Sequence, residues 1–515
     1  MFNIDRRGIL KASAYTAMAM AVGISPTRAK PRVGGKLRLA LAGANTSDSL
    51  DPALWTSVMM QVGMMGGVYN NLTEVAAGGE LKPELAVGWE STPDAKSWTF
   101  KLRKGVQFHN GKEMTSRDVI ASINHHRVED SKSVARALVA PIHSMEAPDK
   151  HTVVFHLDDG NADFPFILND VHLVIMQEKD GRADWQSAIG TGGYKFVSFE
   201  PGVNLILKRQ DNYWKDGHGN FDEVELLGIA DAVARQTALI TGEVHAINRV
   251  DLKTIHHLER LQHIVIEEVT GTQHMTMPMA INTAPFRDKN VRLALKHALN
   301  RDLMVEFILK GRGRIGNDHP IAPSNRYYAK DLEQTVYDPD QARFYLNKAG
   351  LDHLNIELSA ADAAFNGAVD AAVLFKEQAL KSGINVTVNQ EANDGYWANV
   401  WRKKPFCMCF WGGRPTEDWM FSTAYSADAK WNDTGWKNER FNSLLIMARS
   451  ELDEDKRRSM YFEMQSLVRD DGGTIVPMYA NYVDARSSKL AHSGHLGSNW
   501  ELDGWKILDR WWFAE

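Results

Sequence analysis

The eleven residues Cys409-Phe410-Trp411-Gly412-Gly413-Arg414-Pro415-Thr416-Glu417-Asp418-Trp419 gather more binding chemistry than any other stretch of the chain. Alternation over 406–411 predicts a buried strand. Gly412-Gly413 then lets backbone approach a bound molecule, because neither residue carries a Cβ. Beyond the turn, Arg414, Thr416, Glu417 and Asp418 offer a cation, a hydroxyl and two carboxylates beside the indoles of Trp411 and Trp419. Ligand sites combine apolar walls with a few polar anchors in this way. Trp397, Trp401, Trp431 and Trp436, with Tyr396 and Tyr425, make 396–436 rich in aromatic rings. Most of these are expected in the core, with Trp411 and Trp419 the pair expected at a ligand.

Motifs for covalent or metal chemistry are missing. No H-E-x-x-H, G-x-S-x-G or C-x-x-C occurs. Gly311-Arg312-Gly313-Arg314-Ile315-Gly316 satisfies G-x-G-x-x-G, but it follows a predicted helix and leads into His319-Pro320. A dinucleotide site needs the motif between a strand and the helix that receives the pyrophosphate, so this one reads as a loop. Cys407 and Cys409 alternate on the predicted strand, point to one face and are poorly placed for a disulfide, so core burial is expected. The 18 histidines are scattered, and the adjacent pairs His125-His126 and His256-His257 cannot both face one helical site. No ligand-like spacing for a metal results. The reading is therefore a binding protein without catalytic residues, metal or cofactor. A formal net charge of −6 argues against nucleic acid as a partner.

These side chains must be positioned by a large α/β scaffold. The 515 residues exceed one ordinary domain. Strands are predicted over 36–42, 152–157, 204–208, 223–229 and 264–269, and helices over 231–241, 289–299, 301–309, 339–349 and 456–470. Residues 1–29 carry Asp5-Arg6-Arg7-Gly8-Ile9-Leu10-Lys11, then a weakly apolar stretch too short to span a bilayer and Thr27-Arg28-Ala29. They resemble a twin-arginine export signal cleaved near Ala29. That segment holds a net charge of +3, which leaves −9 on the remainder.

The run 89–119, WESTPDAKSWTFKLRKGVQFHNGKEMTSRDV, is the most specific segment. Trp98, Phe100 and Leu102 alternate with Thr99, Lys101 and Arg103 as in a half-buried strand, and 106–109 is expected to resume it. Asn110-Gly111 marks a turn, and Thr115 or Ser116 caps a helix. This order resembles the signature of solute-binding proteins serving peptide and nickel ABC transporters. Leu50-Asp51-Pro52, Gly190-Thr191-Gly192-Gly193-Tyr194 and Ile281-Asn282-Thr283-Ala284-Pro285-Phe286-Arg287-Asp288 match further landmarks in sequence order.

The resemblance implies a two-lobed periplasmic-binding-protein fold with a hinge. Lobe I would comprise 30–278 and 484–515, with an extra subdomain near 68–195, and lobe II would comprise 279–483. The crossings are expected at 279–282 and 479–484. A monomer in the periplasm would hold a small-molecule or peptide ligand between the lobes and present it to ABC permease subunits. Dipeptide-binding members of that family place an Asp three residues after the matching Trp to clamp the ligand's α-ammonium, and here Arg414 stands there. They also hold the ligand carboxylate with an Arg in a lobe II loop. The nearest equivalent is Asp362, and the loop 360–367 contains no Arg. The anchors thus look charge-swapped, so Arg414 is expected to meet an anionic group or, alternatively, to pair with Glu417, Asp418 or Asp362. Members also touch ligand through a front loop, here Asn45, Thr46 and Asp48, and Asn481 and Tyr482 lie near the second crossing. An ordinary peptide carrier, a nickel-complex binder, an exported hydrolase and a ligand sensor are the alternative readings.

Overall fold

Two strands far longer than the rest, Ile264–Pro278 and Thr474–Ser487, organise the molecule. The computed structural model describes residues 32–414 and 416–514; the expected export signal and cleavage site lie outside them, as does Pro415. The long strands pair antiparallel from Ile264 opposite Ser487 to Thr270 opposite Asn481. They lose register between Thr270 and His274, then pair again to Pro278 opposite Thr474. On one side of the break Ile264, Val483 and Ala485 pack with Ala40, Leu239 and Ile247. On the other, Met275, Met277, Ile475 and Met478 join Leu295, Leu358 and Phe375 in a separate core. The chain therefore passes between cores at 270–275 and 480–483. The first passage comes before the expected 279–282, because Met275, Met277 and Met279 already pack in the second core.

One nine-stranded sheet spans both sides. Lys36–Leu41 runs parallel to Glu223–Gly228 and Ala246–Ile247, and the latter adjoins the long pair. Cys409–Trp411 closes the far edge against Ile264–Pro278. Gly313–Ile315, expected as loop, is instead a short strand on Thr474–Ser487. A Cβ at Gly313 or Gly316 would lie 2.5 Å and 1.9 Å from the Tyr479 and Val476 carbonyl oxygens, so these glycines serve strand contact rather than phosphate binding. Helices start on side-chain caps: Asp231 accepts from the Ala234 N–H, Asn300 from Leu303 and Asp338 from Gln341. Cys407 and Cys409 are buried free thiols, and burial pushes Cys407 up to about 12.

The signature run supplies two strands of a separate four-stranded antiparallel sheet with its own core, completed by Ile142–Asp149 and Thr152–Leu157. Trp98, Phe100 and Leu102 are buried, each contributing about 1.5–3 kcal/mol of transfer free energy. The segment 106–109 resumes pairing only briefly, as an antiparallel bridge of Gln107 with Glu113 closed by a tight turn, with the Phe108 N–H on the Lys112 carbonyl. That turn delivers His109, whose Nε2 lies 3.0 Å from the Gly192 carbonyl while its Nδ1 accepts from the Gly190 N–H. Burial holds the ring neutral, down to about 4. A Cβ at Gly190 would sit 1.9 Å from the Val68 carbonyl oxygen, so the two matched motifs lock together through backbone only glycine permits. Helix Ser116–His125 follows, with Asp118 accepting the Thr115 N–H at 2.8 Å.

This subdomain also touches the second lobe directly. Asp163 accepts from Arg457 Nη2 at 2.8 Å and Arg326 Nη2 at 2.9 Å. Burial pushes its carboxyl up, but the two guanidinium groups outweigh that and hold it below the usual range. Arg312 bridges toward the first lobe through Glu259 and Glu268.

Candidate functional site

A cavity of about 880 Å³ opens where the long strands pass between the cores. One wall comes from the first lobe: Gln61, Arg249, Asp251, Trp500, Glu501 and Trp505. The opposite wall includes Phe307, Phe365, Asn366, Phe410 and Gly412. Gln273, Met275, Asn481, Tyr482 and Asp484 lie on the long strands between them. Aromatic and apolar surface predominates, with charges at a few points, in a volume typical of small-molecule sites.

The first-lobe wall is shaped by an unusual turn. Leu502, Asp503, Gly504 and Trp505 are all left-handed, at φ 52°, 59°, 65° and 63°. For the three L side chains this costs roughly 1–2 kcal/mol each, and such backbone persists only where its surroundings over-determine it. Asp503 accepts from the Gly497 N–H at 2.6 Å, from Arg510 at 3.1 Å and from the Trp511 indole at 3.1 Å. Asp484 Oδ2 accepts the Leu502 N–H at 2.7 Å. The π-helix Gln61–Val68 presses from behind: a Cβ at Gly66 would lie 2.2 Å from the Trp505 carbonyl oxygen. The turn brings Trp500 and Trp505 into a parallel stack with centroids 4.5 Å apart and planes within 5°.

Beside this stack, Glu501 accepts from Asn248 Nδ2 at 2.8 Å and from Arg249 Nε and Nη2 at 3.1 Å and 2.8 Å. Asp484 lacks such a cation of its own. Burial, then the Glu501 charge, pushes it up to about 8, against smaller opposing contributions from the Leu502 and Arg249 N–H groups.

The residues singled out from sequence fall in different places. Asn481 and Tyr482 line the cavity. Arg414, Thr416 and Glu417 border a smaller void of about 40 Å³ with Thr272, Arg326 and Asn499. The two voids lie back to back, because Thr272 and Gln273, Gly412 and Arg414, and Asn499 and Trp500 divide between them. Arg414 Nη1 donates to the Gly412 and Gly413 carbonyls at 3.0 Å and 3.2 Å, and its guanidinium lies 6.0 Å from the Trp419 ring centre. Burial pulls its pKa down, and among the described residues it forms no ion pair. The acids considered for it are engaged elsewhere: Glu417 with the Tyr327 N–H, Asp418 with Arg449, and Asp362 with the Gly367 N–H. Gly413 is needed for contact, since a Cβ there would meet Thr272 Oγ1 at 1.5 Å.

Trp411 packs in the second lobe against Trp401 and Trp431 rather than on the cavity. Asp362 turns toward its own helix while Ala363–Gly367 form the wall. Asn45, Thr46 and Asp48 form a turn closed by the Asn45 N–H on Asp48, away from the cavity lining, and Thr56, Val58 and Gln61 take the front position. Sequence reasoning passed over Arg249, Asp484, Trp500, Glu501 and Trp505. The dense Trp500-Glu501-Leu502-Asp503-Gly504-Trp505 string was the available signal. Among the described residues no group of three or more His, Cys, Asp or Glu is placed to hold a metal ion, and none of their helices is long and apolar enough to cross a membrane.

Two lobes joined by paired strands around one aromatic-walled cavity define a solute-binding protein. The chain belongs to the bacterial extracellular solute-binding proteins, family 5, whose model matches residues 80–433. It is 25% identical to the dipeptide-binding protein of Escherichia coli K12 over 92% of this chain and 93% of that one. The fold matches HbpA2 from Haemophilus parasuis with a TM-score of 0.80 at 20% identity, covering 91% of this chain and 99% of that one. It also matches DppA from Helicobacter pylori in complex with the peptide STSA, with a TM-score of 0.73 at 24% identity, covering 94% and 99%.

Proposed function

We propose that the protein is the periplasmic substrate-binding component of an ABC importer, taking a peptide-like or amino-acid-derived solute that carries an anionic group. In this reading it works as a monomer, reaches the periplasm by the twin-arginine route with cleavage near Ala29, closes its lobes around the solute and hands it to the permease without covalent chemistry. Family membership supports the transport role, and the dipeptide-binding relative supports the ligand class.

The observation that carries the anionic preference is Arg414, a largely buried guanidinium with no acidic partner among the described residues, beside a void that also holds Arg326. A buried cation without a counter-charge is costly, and a ligand carboxylate would add about 1.5–3 kcal/mol of charge-assisted hydrogen bonding.

Thermal unfolding against two panels tests this: neutral di- and tripeptides, and carboxylate-rich amino-acid derivatives. A ligand at about 100 times its Kd stabilises by about 2.7 kcal/mol, which moves the midpoint by a few degrees. Shifts confined to the anionic panel and abolished by Arg414→Ala are expected. Shifts from ordinary peptides that survive Arg414→Ala would make the chain a conventional peptide carrier and Arg414 structural.

A further inference from the structure

Two residues lining the 880 Å³ cavity each carry a buried polar atom whose bonding the fold leaves open. Asp484 Oδ1 makes no well-formed hydrogen bond: Oδ2 of the same carboxyl is used by the Leu502 N–H, and the Arg249 N–H is the one other backbone donor acting on the group. Trp505 is only 5% exposed, and its indole Nε1 is likewise unpartnered. Both residues line the cavity. Buried polar groups are nearly always paired, so an acceptor and a donor left open beside one cavity call for a specific explanation.

Charge points the same way. Glu501 is satisfied by Arg249 and Asn248, whereas Asp484 has no cation of its own and holds its proton in the empty site. A bound cation would take that proton's place and let Asp484 ionise. The stacked indoles of Trp500 and Trp505 form the adjoining wall, and aromatic faces favour organic cations. The left-handed turn that sets all of this is held in strain by Asp503 and Gly66, as expected of a pre-organised site.

We propose that Asp484, backed by Glu501, anchors a primary ammonium or guanidinium group of the solute, with Trp505 Nε1 donating to a neighbouring oxygen of the same molecule. This rests on the importer reading above. Together with Arg414 in the adjoining void, it makes the preferred ligand dipolar, with its cationic end on the first lobe and its anionic end toward the second. Asp484 lies on the long strand between the walls, outside the 409–419 segment that sequence reasoning favoured.

The test is calorimetric titration of the mature protein with matched probes: aspartyl and glutamyl dipeptides, glutamate and arginine, each as the free amine and as the Nα-acetyl form. Variants are Asp484→Asn, which keeps shape and removes the charge, and Trp505→Phe, which keeps the ring and removes the donor. Retained far-ultraviolet circular dichroism and a cooperative melt show that each variant is folded. At least a tenfold loss of affinity on acetylation and in Asp484→Asn is expected, with a smaller loss in Trp505→Phe. Arg414→Ala should weaken the same probes without abolishing their preference for a free amine. If probes bind but tolerate acetylation and Asp484→Asn within threefold, this inference falls while the importer reading stands. If no probe binds the wild-type protein, the ligand class itself is refuted and the inference falls with it.

Discussion

Removing the Asp163 carboxylate should weaken ligand binding from outside the cavity. Asp163 lies on the signature subdomain, whereas Arg457 and Arg326 belong to the opposite lobe. The side chains of Arg457 and Asp163 are only 2% and 3% exposed, so the pair is dry here, and a parting of the lobes would hydrate it. Breaking a buried pair by deleting one partner costs about 3–5 kcal/mol. Arg457 retains the Ala448 carbonyl at 3.0 Å and Tyr327 Oη at 3.2 Å, which places Asp163→Ala at the lower end of that range. The loss falls on the closed state alone, because water can solvate Arg457 in the open one. At about 1.4 kcal/mol per decade, roughly 3 kcal/mol is about a hundredfold in apparent affinity. Calorimetry with the tightest-binding probe gives the affinity, and small-angle scattering gives the radius of gyration with and without it. The variant should need far more probe to reach the compact form. A variant that loses global stability to denaturant yet keeps its affinity within threefold and its compaction would refute the reasoning, because the pair would then be ordinary core.

Two further outcomes are expected. In the empty protein the Asp484 carboxyl titrates at about 8 against about 3.9 in an unfolded chain. The folded state therefore holds the extra proton across that window, and this stabilisation, full below about pH 4, is lost as pH rises through about 8. Asp484→Asn should melt progressively later than wild type between pH 5 and 8, and pH profiles that stay parallel would contradict the assignment. Gly66→Ala pushes a methyl group against the Trp505 carbonyl and should cost about 1–3 kcal/mol in denaturant titrations, with a changed near-ultraviolet signal from the Trp500–Trp505 stack.

What could be read from the chain were features set by neighbours in sequence. Trp98-Thr99-Phe100-Lys101-Leu102 declares its strand because each side chain's face follows from its position. Asp231, Asn300 and Asp338 mark helix starts for the same local reason. Asn481 and Tyr482 were reachable because a passage between cores has to lie beside a cleft. Trp411 was not, since an indole next to a Gly-Gly turn serves a core or a ligand equally well, and only the rings of Trp401 and Trp431 decide. The Asp484–Glu501 pair joins a strand to a turn 17 residues later, through the Asp484 bond to the Leu502 N–H. That turn is left-handed at Leu502 and Asp503, where local preference argues against it. Its shape comes from Gly66 and Asp503 contacts that no short window contains.

The two passages between lobes are adjacent strands of one hydrogen-bonded sheet, with the longest interruption of the ladder between Thr270 and His274. Twin straps laid side by side resist shear and leave essentially one rotational freedom, about a line through the interruption. A bulkier solute would then hold the lobes apart by a larger angle about that line rather than in a new arrangement. The dimensions of the cargo become a single angular coordinate, which any partner resting on both lobes can gauge without touching the cargo itself.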